Sequence, residues 1–341
     1  MMNSPDGRTV TAQLSVQFHN SLLQQNESMA TALVRRALDK GVTPQDFLLE
    51  VVAPAQQRIG EAWASGAIGV AQEHAATALS DRAVTLALAA PQYGPDVRPD
   101  RTRITVACVE GEWHALPARL VADILRLHGR QVTFLGAHVP THHLRAHLRT
   151  DRPQIMALSC SMASRLPFAH AAVGACRNAG IPVLAGGAAF GPSGARAREV
   201  GADQWCGDAL EAASFLAQGT LGGDSSPAYV PDPENQEEFW LLTSTRARLV
   251  HDLATGLGHP DPAHPLHRAQ LTDHLALLAE SLASSVYMAD PFIFAESVSW
   301  LTQIGRPRQL TPAFLESALE RMAARLRDFP LAAAVLHASV G

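Results

Sequence analysis

Apolar residues recur at helical spacing through residues 8–90. Thr43 followed by Pro44 reads as an N-cap with proline in the first helical turn, and PQDFLLEVVAPAQQRIGEAW continues the helical pattern. Gly66-Ala67-Ile68-Gly69 interrupts it, and a further helix is expected from about Val70 to Ala89. The pattern changes at residue 102. The runs RITVACV (103–109), QVTFLG (131–136), IMALSC (155–160), IPVLAG (181–186) and the shorter ADQWC (202–206) read as strands. They alternate with helical stretches near 117–127, 141–149, 166–179, 193–200 and 208–217. Short connections between alternating strands and helices predict a doubly wound, flavodoxin-like parallel sheet. Helical spacing then returns near 236–256, 265–289, 291–303 and 312–327. Proline-rich 91–101 and Gly/Ser/Pro-rich 219–235 read as linkers. The expected architecture is α/β plus all-α: a helical bundle over 8–90, a sheet domain over 102–218 and a helical domain over 236–338.

Composition removes several functions. The chain of 341 residues has 27 Lys+Arg against 32 Asp+Glu, a formal charge of −5, which does not suit a sequence-independent grip on nucleic acid. Lys40 is the only lysine, so a P-loop is absent and a Schiff-base mechanism is nearly excluded. Cys108, Cys160, Cys176 and Cys206 show no metal-ligand spacing, a usage that suits a reducing, cytoplasmic location. No run approaches the ~18 apolar residues of a membrane span. No nucleophile–base pair stands out, so the chain is expected to bind and switch rather than to act as an enzyme.

The chemically pointed loop is Val109-Glu110-Gly111-Glu112-Trp113-His114, at the end of the first strand. In a parallel sheet, ligands bind at the carboxyl ends of the strands. Glu112, two residues before His114, can accept a hydrogen bond from one ring nitrogen while the other binds a metal. Ser159 and Ser161 follow the third strand, and Gly186-Gly187 ends the fourth, where missing Cβ atoms would let a flat or bulky group lie against the backbone. In the helical region ahead, Trp63 is followed after nine residues by Glu73-His74.

The pattern Glu112-x-His114, Ser159-x-Ser161, Gly186-Gly187 resembles the cobalamin-binding domain. Together with Trp63 and Glu73-His74, it resembles the CarH-like cobalamin-dependent photoreceptors over about residues 8–218. The resemblance implies that His114 ligates cobalt from below and that the displaced dimethylbenzimidazole tail lies beside Ser159, Ser161, Gly186 and Gly187. It implies that Trp63, Glu73 and His74 surround the 5′-deoxyadenosyl group of adenosylcobalamin. Light would then break the cobalt–carbon bond and change domain packing. Two positions depart from the family: Pro117 stands where it has glycine, and Ala64 where its repressor members carry a histidine that takes the upper cobalt position after photolysis. The helices begin near residue 8, so direct DNA binding is not expected.

Beyond Cys206 the chain gathers aromatics and histidines, among them Trp240, Phe292, Phe294 and Trp300. Domain order resembles the photocobilins, in which a globin-like module binds a bilin beside the cobalamin domain. That resemblance implies biliverdin or a related bilin, with Arg246, His251, His274, Tyr287 and Asp290 as candidate contacts. Arginine can pair with the propionates and a carboxylate can accept from the pyrrole nitrogens. No cysteine follows Cys206, so this module cannot attach a bilin by its own thioether. Heme, through His251 or His274, is the rival ligand. A corrinoid carrier in methyl transfer is the rival function. The output is expected to pass through a homo-oligomer, such as a dimer, or a separate effector protein.

Overall fold

The computed structural model describes residues 5–89, 102–219, 221, 229–257, 265–305 and 311–340. The linker over 91–101 and most of 220–228 lie outside them. Helices α1 (Pro5–Leu23), α2 (Glu27–Asp39), α4 (Ala53–Ala64) and α5 (Val70–Leu88) pack as an N-terminal bundle, with the short α3 (Pro44–Asp46) leading into α4. Thr43 caps α3 as its sequence position requires, its hydroxyl accepting the Asp46 amide at 3.1 Å with Pro44 in the first turn. Between α3 and α4 the chain is wound as a π-helix, Phe47–Val52, which buries the adjacent pairs Phe47–Leu48 and Val51–Val52. Phe18, Leu22, Phe47, Leu48 and Ile59 fill the bundle, and their apolar cluster continues into Ile104, Val106, Leu120 and Ile124 of the sheet domain.

The sheet domain runs β1 (Arg103–Cys108), α6 (Ala115–Leu127), β2 (Gln131–Gly136), α7 (Thr141–Asp151), β3 (Ile155–Ser159), α8 (Leu166–Asn178), β4 (Val183–Gly186), α9 (Ala195–Glu199), β5 (Gln204–Trp205) and α10 (Ala209–Gln218). All pairings are parallel, in the order β2-β1-β3-β4-β5. The order reverses at β1 and β3, and a crevice opens at the carboxyl ends of strands at such a point. The register pairs Cys108 with Ser159 and Ser159 with Gly186, so three strands end in one row. The loops after β1, β3 and β4 therefore converge.

Five helices follow: α11 (Pro233–Leu257), α12 (Pro265–Met288), α13 (Pro291–Gly305), α14 (Pro312–Arg325) and α15 (Pro330–Val340). The last has no counterpart in the sequence expectations. Its first amides are satisfied from a distance: buried Glu238 of α11 accepts from Leu331 at 3.1 Å and Ala332 at 2.6 Å. The helical part docks on the sheet domain. Ser284 donates to the Ala163 carbonyl at 2.8 Å, and Met288 and Ile293 join the apolar cluster under α8. The supposed linker over 219–235 is partly structural, because Tyr229 donates its amide to the Glu199 carbonyl and its hydroxyl to the Tyr287 carbonyl. Among the described residues, no helix is long and apolar enough to cross a membrane.

Candidate functional site

The loop after β1 is shaped by Gly111, whose φ of +80° favours glycine and whose amide donates to His138 Nδ1 at 2.9 Å. A Cβ on Gly111 would come within 3.0 Å of the Arg165 side chain. His138 in turn stacks on the exposed Trp113, with ring centroids 4.6 Å apart and planes within 5°. The next residue, Glu112, is fully buried. Its Oε1 accepts from the His114 amide at 2.9 Å and meets His114 Nδ1 at 2.6 Å, and its Oε2 accepts from the Ser161 amide at 2.6 Å. One carboxylate thus ties the end of β1 to the end of β3. Burial pushes the Glu112 carboxyl up, but its bonds to His114 and Ser161 outweigh that and hold it below its ordinary value. The His114 imidazole is raised by the Glu112 hydrogen bond, against the effect of burial, with the charges of Glu112 and Glu73 adding to the rise.

With Nδ1 held by Glu112, Nε2 is the ring nitrogen that can ligate. The His114 side chain is 58% exposed, opening on a cavity of about 560 Å³. Trp63, Pro117, Ser161, Met162, Ala188 and Trp300 are among its walls. A narrower, mostly apolar slot of about 250 Å³ runs down between α6 and the ends of β3 and β4. Leu49 and Ala53 of the bundle, Val106, Pro117, Ser159, Gly186 and Gly187 line it. The two glycines differ in what they do for the fold. Both line the slot, yet Gly187 is required by the protein's own backbone: its φ is +110° and a Cβ would stand 2.2 Å from the Cys160 carbonyl oxygen. Pro117 lies in the first turn of α6, where its missing amide proton leaves no helical bond unmade.

Trp63 lines the cavity with His114, whereas Glu73 and His74 do not. Glu73 and His74 bond to each other at 2.6 Å, Thr77 donates to Glu73 at 2.9 Å, and His74 is exposed. The candidates in the C-terminal helices do not converge. The Arg246 guanidinium pairs with Glu280, which also holds Arg165 at 2.7 Å. His251 is exposed on α11. The Tyr287 hydroxyl lies 2.8 Å from His170 Nδ1, and Asp290 pairs with Arg196 at 3.0 Å while capping Phe292 at 2.9 Å. Tyr287 and Asp290 are thus docking groups between α12–α13 and the sheet domain. His274 does line a cavity, one of about 470 Å³ shared with Gln270, Asp273 and Trp63. The pocket enclosed by α12, α13 and α14 alone holds only about 20 Å³.

Reasoning from sequence missed Met162, Leu277 and the role of Trp300 as walls. Trp300 stands out as an aromatic, but its place beside Trp63 has no local signature. Among the described residues, no group of three or more His, Cys, Asp or Glu side chains could hold a metal ion. A metal here would thus arrive with most of its ligands, as cobalt does in a corrin ring. The exposed Nε2 of a carboxylate-held histidine, a wide cavity beside it and a flat apolar slot below fit such a group.

Residues 102–214 match the B12 binding domain family, and residues 15–87 match a second family of the same description. The chain is a cobalamin-binding protein. Both matches end before the C-terminal helices. This cobalamin-binding chain is 32% identical over 183 residues to the HTH-type transcriptional repressor CarH of Myxococcus xanthus, covering 50% of this chain and 58% of the repressor. It is 22% identical over 151 residues to trimethylamine corrinoid protein 2 of Methanosarcina mazei, covering 43% of this chain and 67% of that protein. Its fold is similar to that of the Methanosarcina barkeri monomethylamine corrinoid protein, with a TM-score of 0.53 at 18% identity, over 60% of this chain and 98% of that one.

Proposed function

We propose that this protein is a cytoplasmic, non-enzymatic photosensor that binds adenosylcobalamin between the N-terminal bundle and the sheet domain. The observation that carries this reading is the cavity that Trp63 of the bundle shares with His114 of the sheet domain. Bound cobalamin supplies a cobalt–carbon bond that light can break. His114 Nε2 would hold the cobalt, with Glu112 fixing the tautomer of the ring and aiming it. The slot beside Ser159, Gly186 and Gly187 would receive the nucleotide tail, with Pro117 as one wall. Trp63 would shield the bound group from water.

The matches to corrinoid proteins favour methyl transfer as the second reading. A methyl carrier must present its upper face to partner enzymes. Here Trp63, Leu277 and Trp300 wall the cavity that His114 opens on, which favours an enclosed sensor.

A noncovalent bilin completes the reading. The pocket enclosed by α12, α13 and α14 is too small for a tetrapyrrole, so the bilin's place is the cavity of about 470 Å³ lined by Gln270, Asp273, His274 and Trp300. Burial there contributes ~25 cal/mol per Å² before binding costs. The four cysteines belong to the sheet domain and are buried, so no thiol is offered to the pigment. The signal leaves through self-association or a separate effector. The test is the absorption spectrum of the protein reconstituted with adenosylcobalamin and biliverdin, in the dark and after illumination. Light-dependent loss of the alkyl-cobalamin bands and a red shift of biliverdin are expected. A light-stable corrinoid spectrum overturns the photosensor, and an unshifted biliverdin band overturns the bilin.

A further inference from the structure

The two upper cavities meet at four residues. Trp63, Met162, Leu277 and Trp300 line both the cavity of about 560 Å³ that contains His114 and the cavity of about 470 Å³ beside α12. These residues come from the end of α4, the loop after β3, α12 and α13. The indoles of Trp63 and Trp300 stack with centroids 5.9 Å apart and planes 29° apart. Trp63 and Ala64 both pack against the apolar core of the C-terminal helices. The last turn of α4 is therefore as much a part of that core as of its own bundle.

Resting on the cobalamin reading, we infer that Trp300 is the second wall of the chamber facing His114, and that it sets the size of the upper ligand. Both indoles face the chamber, so a nucleoside-sized group held in it gains an aromatic face to lie against. A hydroxide or water ligand offers no flat face for an indole to lie against. Specificity for the upper ligand thus belongs in part to the C-terminal helices. Trp300 is also tied to a docking contact. Glu296, four residues before it on α13, lines the same chamber and holds Arg196 through both oxygens at 2.8 and 2.9 Å. A shift of Trp300 on ligand entry therefore acts on the Arg196–Glu296 contact that docks α13 on the sheet domain.

The test is equilibrium binding to the full chain in the dark, with adenosylcobalamin and hydroxocobalamin as probes and absorbance as the readout. Trp300→Ala is expected to lower the adenosylcobalamin affinity by about 10-fold relative to hydroxocobalamin, the loss of one aromatic contact. Trp300→Phe is expected to keep the ratio within about 3-fold. Leu277→Trp narrows the chamber and is expected to reject adenosylcobalamin while admitting hydroxocobalamin. An unchanged ratio in Trp300→Ala overturns the inference. If that variant loses both corrinoids, Leu277→Trp decides, and its retention of adenosylcobalamin overturns the inference. Failure of the wild-type chain to bind either corrinoid overturns the cobalamin site itself, a result separate from either variant outcome.

Discussion

Glu112 shows how much of the site one side chain can hold. It is fully buried and its charge is met by His114 and the Ser161 amide, so it orients the proposed cobalt ligand and joins two strand ends. Replacing it with glutamine keeps the shape but puts an amide where a carboxylate accepts three bonds. We expect Glu112→Gln to weaken corrinoid binding by about 10- to 100-fold, the range for partners of metal-bound histidines. Titration of the variant with hydroxocobalamin checks this, and affinity equal to wild type would remove Glu112 from the site. The pair was legible in the sequence, since a two-residue spacing at a strand end is local. The Ser161 amide as its third donor was not, because that contact spans 49 positions.

At the scale of elements, the joins between strands and helices matter most. Gly187 follows β4 with φ +110° and its Cβ position lies 2.2 Å from Cys160 O, whereas a Cβ at Gly186 would sit 3.3 Å from Cys206 O. Gly187→Ala is expected to destabilise the fold by about 2–3 kcal/mol, the strain of a forbidden backbone plus a backbone clash. Gly186→Ala should cost clearly less. Urea unfolding of both variants checks the order, and equal midpoints would show that the loop after β4 yields easily. The sequence marked both glycines but assigned them to a ligand. Both line the slot, and only the three-dimensional approach of the Cys160 backbone shows that the fold itself needs Gly187.

At the scale of the molecule, the C-terminal helices are held to the sheet domain by polar contacts that include His170–Tyr287 and Arg196 with Asp290 and Glu296. Burial pushes His170 below its ordinary value of 6.5; its contact with Tyr229 opposes that shift and Arg177 adds to it. The docked state therefore favours the neutral imidazole of His170. A base with a lowered folded pKa contributes its full stability above the unfolded value and loses it as pH falls through the folded one. Thermal stability is expected to decline from about pH 6.5 downward, and His170→Asn, which does not titrate, should flatten that decline. Part of the slope will survive, because burial and the Arg58 charge lower His19 in the bundle too. Parallel melting curves for His170→Asn and wild type between about pH 7.5 and 5 would show that docking does not depend on this histidine.

The sequence by itself determined the three-part order, the five strands and the residues at their ends. Those features rest on short-range patterns: alternation of strand and helix, caps, and motifs within a few residues. Even so, α15 escaped it, because the carboxylate that caps this helix lies 93 positions away on α11. Tertiary structure decided what the polar residues of the C-terminal helices pair with. Arg246, Tyr287 and Asp290 read equally well as pigment contacts or as docking groups, since a polar side chain has the same sequence signal in either place. Their partners Glu280, His170 and Arg196 were needed to tell them apart. Ala64 is the same case in reverse. It reads as a lost ligand along the chain, and in the fold it is a half-buried apolar contact with the core of the C-terminal helices, where a histidine would set a polar ring against apolar side chains.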